Sequence, residues 1–269
     1  MDISDIIELS KEIRRTSIIL AHKTNSSHTG GALSMADILS VLYSRVLNVT
    51  PDSAEDIKRD RLILSKGHCC AALYAVLAEK KFIDKGDLME NYGCNGSSFF
   101  THVSHKLNGV ELSTGSLGHG LPVATGMALG LKIRNLDSKV YCIVGDGEID
   151  EGSNWEAIVF AAHHRLDNLC LIIDKNKIQA LGATDKVLNM DSLSAKLNAF
   201  NWNVLDVDGH NIPQLINAFN QFNENILSPT AIICNTVKGK GVSYMENNNK
   251  WHYSAPNKEQ LNIALNELK

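Results

Sequence analysis

The sequence lacks the features expected of a nucleic-acid-binding, membrane or secreted protein. Its formal net charge is −4 at pH 7, so it has no basic surplus that could neutralise a run of phosphates. No uninterrupted apolar run approaches the length of a membrane span, and the acidic, polar residues 1–5 do not resemble a secretory signal. We therefore expect a cytoplasmic protein without a nucleic-acid or membrane partner.

The sequence also lacks a disulfide or zinc pattern, because its six cysteines contain no C-x-x-C pair. Cys142 and Cys170 lie in apolar runs typical of strands, and we interpret them as reduced, buried thiols. There is no repeat of fixed period and no marked internal boundary. With 44% hydrophobic and 21% charged residues, the chain has an ordinary globular composition. These observations favour a single domain over residues 1–269.

Short apolar runs alternate with helix-like stretches along the chain. Since each run is short enough to be buried on both faces, strands are predicted at residues 61–65, 140–144, 169–173, 202–206 and 231–234. Helices are predicted over residues 5–22, 34–47, 67–80, 117–134, 152–164 and 212–223. The alternation predicts an α/β fold with a doubly wound, mainly parallel sheet. Ligands bind such sheets beyond the carboxyl ends of the strands, so the loops after residues 144 and 173 are the expected site.

A glycine turn follows the predicted strand 140–144. It reads Gly145-Asp146-Gly147-Glu148, and a helix is predicted from about Gly152. The glycines allow main-chain N–H groups to face an anion, and the helix dipole adds a favourable field. Asp146 places a carboxylate beside the turn. The segment therefore predicts an anion site next to an acidic side chain.

A second polar loop follows the next predicted strand. About thirty residues after Asp146, Asn176 and the main-chain carbonyl of Ile178 are expected at the same sheet edge. Carboxylate, amide and carbonyl oxygens form a hard ligand set that suits Mg²⁺, with Ca²⁺ or Mn²⁺ as alternatives. Because Mg²⁺ usually keeps phosphate oxygens and water among its ligands, three protein oxygens leave room for a diphosphate. Each loop separately could be an ordinary turn, but the two together predict a metal and diphosphate site.

These segments resemble those of transketolases. Gly145-Asp-Gly followed by Asn176 is similar to the thiamine diphosphate signature of that superfamily. Further similar segments occur in the family's order at residues 25–31, 65–68, 109–120, 176–182, 236–241 and 251–252. The resemblance spans roughly residues 10 to 256 and stops where a full transketolase continues into its pyrimidine-binding domain. It implies the diphosphate-binding (PP) module as the fold, with thiamine diphosphate and Mg²⁺ as cofactors.

The resemblance also assigns roles to residues. His28 and His102 match histidines that meet substrate hydroxyls or transfer protons, and His68 and His252 match histidines near the cofactor diphosphate. Imidazole suits both tasks because it binds oxygens and moves protons near neutral pH. The expected set is catalytic His28, His102 and His252; cofactor-binding His68, Gly115, Leu117, Gly145, Gly147, Glu148, Asn176 and His252; and metal-binding Asp146, Asn176 and Ile178.

Other residues have weaker assignments. By resemblance, backbone groups near Gly115 hold the aminopyrimidine ring, and His119 replaces a glutamine common in the family. Glu151 and Glu156 match glutamates of an acidic network across the subunit interface, although the helix dipole also favours carboxylates at a helix start. The remaining histidines lie in no motif and are interpreted as ordinary: His22, His105, His163, His164 and His210.

The sequence departs from the family pattern near the expected substrate mouth. Thr29 follows His28 where proline is common, and Tyr253 follows His252 where glycine is common. Thr101-His102-Val103 replaces the usual Gly-His-Pro. These departures leave the cofactor assignment intact and leave the sugar specificity open.

The resemblance implies one subunit of a transketolase, which transfers a two-carbon ketol unit from a ketose or ketose phosphate to an aldose or aldose phosphate. Because the family's activating glutamate lies in the pyrimidine-binding domain, activity is expected only with a C-terminal subunit that carries this domain, in a heterotetramer with two of each chain. The alternatives are a 2-oxoacid dehydrogenase subunit, a deoxyxylulose-phosphate synthase, a homologue in a specialised sugar-biosynthesis pathway, and a non-catalytic regulatory subunit. A Rossmann dehydrogenase is disfavoured, because the glycine pattern at 115–120 has no clear strand before it.

Overall fold

A five-stranded sheet, parallel throughout, lies at the centre of this computed structural model, which describes residues 2–269. The strands are β1 (Arg61–Leu64), β2 (Val140–Gly145), β3 (Leu169–Lys175), β4 (Ile178–Gln179), β5 (Gly182–Ala183), β6 (Asn203–Asp208) and β7 (Thr230–Asn235). The large sheet has the order β1-β2-β3-β7-β6, and β4 and β5 form a separate antiparallel hairpin. The predicted α/β class and parallel sheet are confirmed.

Helices precede and follow the strands along the whole chain. They are α1 (Ile3–Thr24), α2 (Thr29–Ser34), α3 (Ala36–Val41), α4 (Cys70–Glu79), α5 (Lys85–Asn91), α6 (Gly120–Ile133), α7 (Gly152–His163), α8 (Thr184–Val187), α9 (Leu193–Ala199), α10 (Ile212–Glu224) and α11 (Lys258–Glu267). The predicted helix over residues 34–47 is not continuous. Its first residue, Ser34, ends α2, while α3 covers Ala36–Val41 and a wider π turn covers Leu42–Val46.

The strands pack against a hydrophobic cluster on each face of the sheet. Tyr141, Ile143 and Ile172 contact the cluster formed with α1, α3, α4 and α10. Cys142 and Val144 contact the opposite cluster, formed with α6, α7 and α9. Successive side chains of a strand point to opposite faces, so a sheet covered on both faces requires strands that are apolar throughout. This packing gives the doubly wound arrangement.

Buried thiols form part of this core. Cys142 in β2 and Cys170 in β3 are free and buried, as predicted. Burial raises the pKa of both thiols, so they remain protonated. Within residues 2–269, no helix combines the length and apolarity needed to cross a bilayer.

The register of β2 and β3 brings the two predicted loops together. Gly145, the last residue of β2, pairs with Asp174 in β3. The glycine turn after β2 and the polar loop after β3 therefore begin at the same edge of the sheet. The loop after β1, which contains His68, follows the neighbouring strand at that edge.

Candidate functional site

A cavity of about 280 Å³ lies beyond the carboxyl ends of β1, β2 and β3. All the predicted site residues line it, although they come from segments far apart in the chain: His28, His68, His102, Gly115, Leu117, Gly145, Asp146, Gly147, Glu148, Asn176, Ile178 and His252. Six residues outside the predicted set complete the lining: Gly31, Lys66, Gln179, Ala180, Lys238 and Tyr253.

A direct hydrogen bond joins the two predicted metal loops, since Lys177 N donates to Asp146 Oδ2 at 2.5 Å. Within the second loop, Ile178 N donates to Asn176 Oδ1 at 3.1 Å. A Cβ added to Gly147 would come within 2.6 Å of Gln179 Cβ, so glycine is needed for this close approach. The contacts hold the Asp146 carboxylate beside the Asn176 amide and the Ile178 carbonyl.

These three residues have the chemistry of a site for a hard cation. Burial and the negative charge of Asp174 raise the pKa of Asp146 to about 6, which indicates a carboxylate with too little positive charge around it. The Lys238 ammonium donates to the Ile178 carbonyl at 3.0 Å, so this oxygen already faces a cation. The residues therefore fit Mg²⁺. Since no three His, Cys, Asp or Glu side chains within residues 2–269 are grouped to hold a metal, binding would depend on the amide and carbonyl oxygens.

The glycine turn presents main chain to the cavity. A Cβ built on Gly145 would meet no heavy atom within 4 Å, so the backbone borders open space there. The neighbouring Glu148 carboxylate accepts from Ser65 Oγ at 2.5 Å, Gly118 N at 3.0 Å and Gly145 N at 3.2 Å. Glu148 thus ties three loops together and shapes the cavity from within. Its predicted contact with the cofactor stays a prediction.

The four predicted histidines form one cluster in the cavity. The ring centroid of His28 lies 5.0 Å from that of His68, 5.1 Å from that of His252 and 6.0 Å from that of His102. The main chain supports this arrangement, because His28 N donates to the carbonyl of His252 at 2.8 Å. Four imidazoles from separate segments are thereby placed around one space.

Burial keeps this cluster neutral. It lowers the pKa of His28 to about 4 and that of His252 to about 3, and nearby positive groups act in the same direction. Burial also lowers the pKa of His68 and of His102. A neutral imidazole has one N–H donor and one acceptor nitrogen. At neutral pH the cluster can therefore donate hydrogen bonds to hydroxyl or phosphate oxygens and accept them from hydroxyl groups.

Two lysines outside the predicted set give the cavity its positive charge. Lys66 Nζ lies 2.5 Å from Asp174 Oδ2, and the charge of this carboxylate raises the lysine pKa despite burial. Lys238 Nζ lies 2.9 Å from His252 Nδ1, and burial lowers the pKa of Lys238 to about 8. Both lysines lie in segments that resemble transketolases, residues 65–68 and 236–241. Membership in these segments is the sequence signal that could have identified them. Two ammonium groups favour an anionic ligand.

Several residues with weaker assignments lie outside the cavity lining. His119 is exposed at the N-cap of α6, and Glu151 and Glu156 are exposed at the start of α7. His22 Nδ1 contacts the Pro256 carbonyl at 2.8 Å, and His105 Nδ1 contacts Ser113 Oγ at 2.7 Å. These contacts agree with the ordinary interpretation of both histidines. The interface role of the two glutamates stays a prediction.

Comparison with known sequences identifies the family. The family described as "Transketolase, thiamine diphosphate binding domain" matches residues 7–268. An apulose-4-phosphate transketolase subunit of Phocaeicola vulgatus is 39% identical over 98% of this chain and 94% of its own length. The 6-deoxy-6-sulfo-D-fructose transketolase subunit SqwG of Clostridium sp. is 37% identical over 98% of this chain and 96% of its own length. Human transketolase is 36% identical over 97% of this chain, which spans 41% of the human protein.

Solved structures agree with the sequence comparison. Transketolase from Campylobacter jejuni superposes with a TM-score of 0.94 at 30% identity, covering 100% of this chain and 43% of that chain. For Leishmania mexicana transketolase the TM-score is 0.89 at 27% identity, with coverage of 98% and 41%. The fold is thus that of the thiamine diphosphate-binding domain of transketolases. The chain belongs to the transketolase family, in which it corresponds to the thiamine diphosphate-binding domain.

Proposed function

We propose that this chain binds thiamine diphosphate together with Mg²⁺ in the cavity, as one subunit of an enzyme that transfers a two-carbon ketol unit from a ketose or ketose phosphate to an aldose or aldose phosphate. One observation supports this above all: the residues predicted for metal, cofactor and catalysis line a single cavity. Thiamine diphosphate supplies the carbanion chemistry when it is bound. The residues of this chain bind, orient and transfer protons.

The charged and polar groups of the cavity suit a metal diphosphate. Asp146, Asn176 and the Ile178 carbonyl would hold Mg²⁺, which in turn neutralises the diphosphate charge. Lys66 and Lys238 border the same cavity, with Lys238 Nζ 3.0 Å from the Ile178 carbonyl, and would attract the diphosphate beside the metal. The main chain at Gly145 faces open space and would allow the phosphate oxygens to approach closely.

The histidine cluster suits proton transfer at a sugar. His28 and His102 would exchange protons with substrate hydroxyls, since each ring, kept neutral by its lowered pKa, presents one N–H donor and one acceptor nitrogen to the cavity. His68 and His252 would instead hold the cofactor. His252 Nδ1 contacts Lys238 Nζ, which places this histidine beside the proposed diphosphate site.

A second polypeptide is part of the proposal. This chain spans 43% of the Campylobacter jejuni transketolase, whereas it spans 94% of the Phocaeicola vulgatus protein, which is named as a transketolase subunit. We therefore propose a partner chain that carries the pyrimidine-binding domain and completes the cofactor site, with two copies of each chain in the assembly. Glu151 and Glu156, exposed at the start of α7, are the proposed interface residues.

A specialised sugar substrate is the second candidate. The similar subunits from Phocaeicola vulgatus and Clostridium sp. are named for apulose 4-phosphate and 6-deoxy-6-sulfo-D-fructose. In this chain Tyr253 lines the cavity at the position where the family commonly has glycine. Both observations favour a ketose other than the common pentose phosphates as donor or product.

Reconstitution tests the proposed function. The purified chain is mixed with a second polypeptide that carries the pyrimidine-binding domain, and size-exclusion chromatography with light scattering measures the assembly. A coupled assay with xylulose 5-phosphate and ribose 5-phosphate measures ketol transfer, in the presence of thiamine diphosphate and Mg²⁺. Activity is expected only in the mixture. Turnover by this chain without a second protein would contradict the two-subunit proposal, and a silent mixture that still binds the cofactor would redirect the search to other ketoses.

A further inference from the structure

A buried polar network lies outside the lining of the cavity, between α1, α3 and the loop before α10. Arg14 of α1 donates to Asp37 of α3, with Nη2 2.5 Å from Oδ2 and Nη1 3.2 Å from Oδ1. His210, in the loop before α10, places its Nδ1 2.7 Å from the same Oδ2. All three side chains are at most 13% exposed. The sequence predicts only an ordinary histidine at position 210, and the cavity lining does not include it.

The contacts of His210 fix its tautomer. The main-chain N–H of Val237 donates to Nε2 at 2.9 Å, so this nitrogen must carry a lone pair. The proton of the neutral ring therefore lies on Nδ1 and is donated to Asp37. Burial would raise the pKa of Asp37, but the hydrogen bond from His210 and the charge of Arg14 lower it to about 2, so the acceptor is a carboxylate. The imidazole thus connects a buried anion to a main-chain amide.

This amide lies just beyond the end of the sheet. β7 ends at Asn235, and Thr236 N still donates to the carbonyl of Lys175 at 3.1 Å. At Val237 the strand ladder no longer provides an acceptor, and His210 supplies one in its place. Two residues further on, Gly239 N donates to the Gly30 carbonyl at 2.9 Å. The segment from 237 to 239 is thereby held at both ends.

The residues on either side of Val237 both contact groups at the site. Thr236 Oγ1 donates to Asp174 Oδ1, the carboxylate that also pairs with the cavity residue Lys66. Lys238 lines the cavity, and its Nζ contacts the Ile178 carbonyl and His252 Nδ1. A displacement of the Val237 amide would therefore move the Lys238 side chain directly and disturb the support of Lys66 through Thr236.

We infer that Asp37 and His210 are positioning residues, which hold the main chain at Val237 and so place Lys238 at the cofactor cavity and Thr236 on Asp174. The inference rests on the proposed function, because Lys238 would interact with a cofactor only if one binds in the cavity. Neither positioning residue touches the cavity. Their effect on binding arises from an arrangement that is set before the cofactor arrives.

The test compares His210→Ala with His210→Gln in the full chain. Glutamine can donate its amide N–H to Asp37 and accept from Val237, so it replaces both hydrogen bonds of the imidazole. His22→Ala is the matched control, because His22 also bonds a backbone group but lies outside the cavity lining. Hydrogen–deuterium exchange, measured by mass spectrometry on the cofactor-free chain, reports the protection of residues 236–241. Calorimetry reports the affinity for thiamine diphosphate with Mg²⁺.

In His210→Ala we expect exchange at residues 236–241 to increase about tenfold and cofactor affinity to fall about tenfold, with protection of β2 and β3 unchanged. His210→Gln should restore most of the exchange protection and most of the cofactor affinity. His22→Ala should change neither the protection nor the affinity. Unchanged exchange in His210→Ala would overturn the inference, and so would a loss of protection that spreads to β2 and β3. Unchanged affinity in a chain that binds the cofactor would also overturn it. If the wild-type chain with its partner fails to bind thiamine diphosphate, the proposed function fails, and exchange still decides whether His210 holds the segment.

Discussion

Lys66 and Asp174 form an ion pair under the cavity, with Nζ 2.5 Å from Oδ2 and side-chain exposures of 2% and 0%. Asp174 also accepts from Ser34 Oγ at 2.6 Å and from Thr236 Oγ1. An anion with this many donors satisfies the condition under which a buried charge is tolerated. The pair joins the end of β3 to the residues that follow β1, and the Lys66 ammonium lies at the cavity wall.

Removal of one partner should destabilise the chain strongly. In Lys66→Met, Asp174 remains buried without its counter-ion, and we expect the free energy of unfolding to fall by about 3–5 kcal/mol. The double variant Lys66→Met with Asp174→Asn should lose less than the two single losses combined, because neither charge is left unpaired. Urea denaturation of the cofactor-free chain measures the free energy of unfolding of Lys66→Met, of Asp174→Asn and of the double variant.

Lys186→Ala is the control for this prediction. Its Nζ lies 3.5 Å from Asp185, but both side chains are largely exposed. Such a pair contributes about 1 kcal/mol or less. A loss in Lys66→Met as small as that in Lys186→Ala would show that the buried pair is not a stabilising feature.

Asp146→Ala and Asn176→Ala should each abolish Mg²⁺-dependent binding of thiamine diphosphate. Each removes a proposed oxygen ligand from a loop outside the hydrophobic core, so the chain should remain folded. Calorimetry with the cofactor measures binding, and circular dichroism measures folding. Asp137→Ala, an exposed carboxylate before β2, is the control. Undiminished affinity in both variants would rule out the metal assignment.

The four cavity histidines should separate into two kinetic classes. In the reconstituted enzyme, His28→Ala and His102→Ala should lower kcat by about a hundredfold or more while cofactor affinity changes little, because a lost proton-transfer group costs roughly that factor. His68→Ala should instead weaken cofactor binding. Steady-state kinetics and calorimetry distinguish these effects, and the reverse pattern would show that the division of roles is wrong.

The partly buried His28 should also make stability depend on pH. The folded-state pKa of His28 is about 4, below the ordinary value of 6.5. Between these values the unfolded chain binds more protons than the folded chain, so the free energy of unfolding should fall as pH decreases from about 6.5 to about 4. His28→Asn should reduce this slope. Urea denaturation at several pH values decides, and equal slopes in wild type and His28→Asn would contradict the prediction.

Sequence patterns predicted the parts of the fold that depend on local composition. Four strands of the central sheet, β1, β2, β3 and β7, contain continuous apolar runs, which parallel strands buried on both faces require. The edge strand β6 alternates instead, with Asp206 and Asp208 exposed. The short helices α5, α8 and α9 were not predicted, nor were α11 and the hairpin of β4 and β5. Each covers at most 10 residues, too few for a clear periodic pattern.

The two cavity lysines show why part of the site could not be predicted. Lys238 and Lys240 occur in the same glycine-rich segment, yet only Lys238 lines the cavity, while Lys240 lies 3.9 Å from Glu246 and is partly exposed. Lys66 acquires its role from Asp174, 108 residues away in the chain. Tertiary contacts decide which charged side chains pair with each other. The spacing of these residues along the sequence does not reveal such contacts.

Tyr253 gives the cavity an aromatic edge. Its ring centroid lies 4.7 Å from that of His252 and 6.1 Å from that of His28, and the residue is 66% exposed. The hydroxyl makes no hydrogen bond within residues 2–269. The ring therefore offers an apolar face and a free polar group to a molecule that enters beside the histidines.

Tyr253→Gly should consequently alter the choice of sugar more than the binding of cofactor. In the reconstituted enzyme we expect the ratio of kcat/KM values for two ketose donors of different length to change by about tenfold, because a contact of this size at one pocket wall discriminates by roughly that factor. Thiamine diphosphate affinity should stay near the wild-type value. Tyr253→Phe separates the ring from the hydroxyl, and Phe100→Ala, an exposed aromatic outside the cavity lining, is the control. A ratio that Tyr253→Gly leaves unchanged would show that the selectivity for the sugar is determined elsewhere in the assembled enzyme.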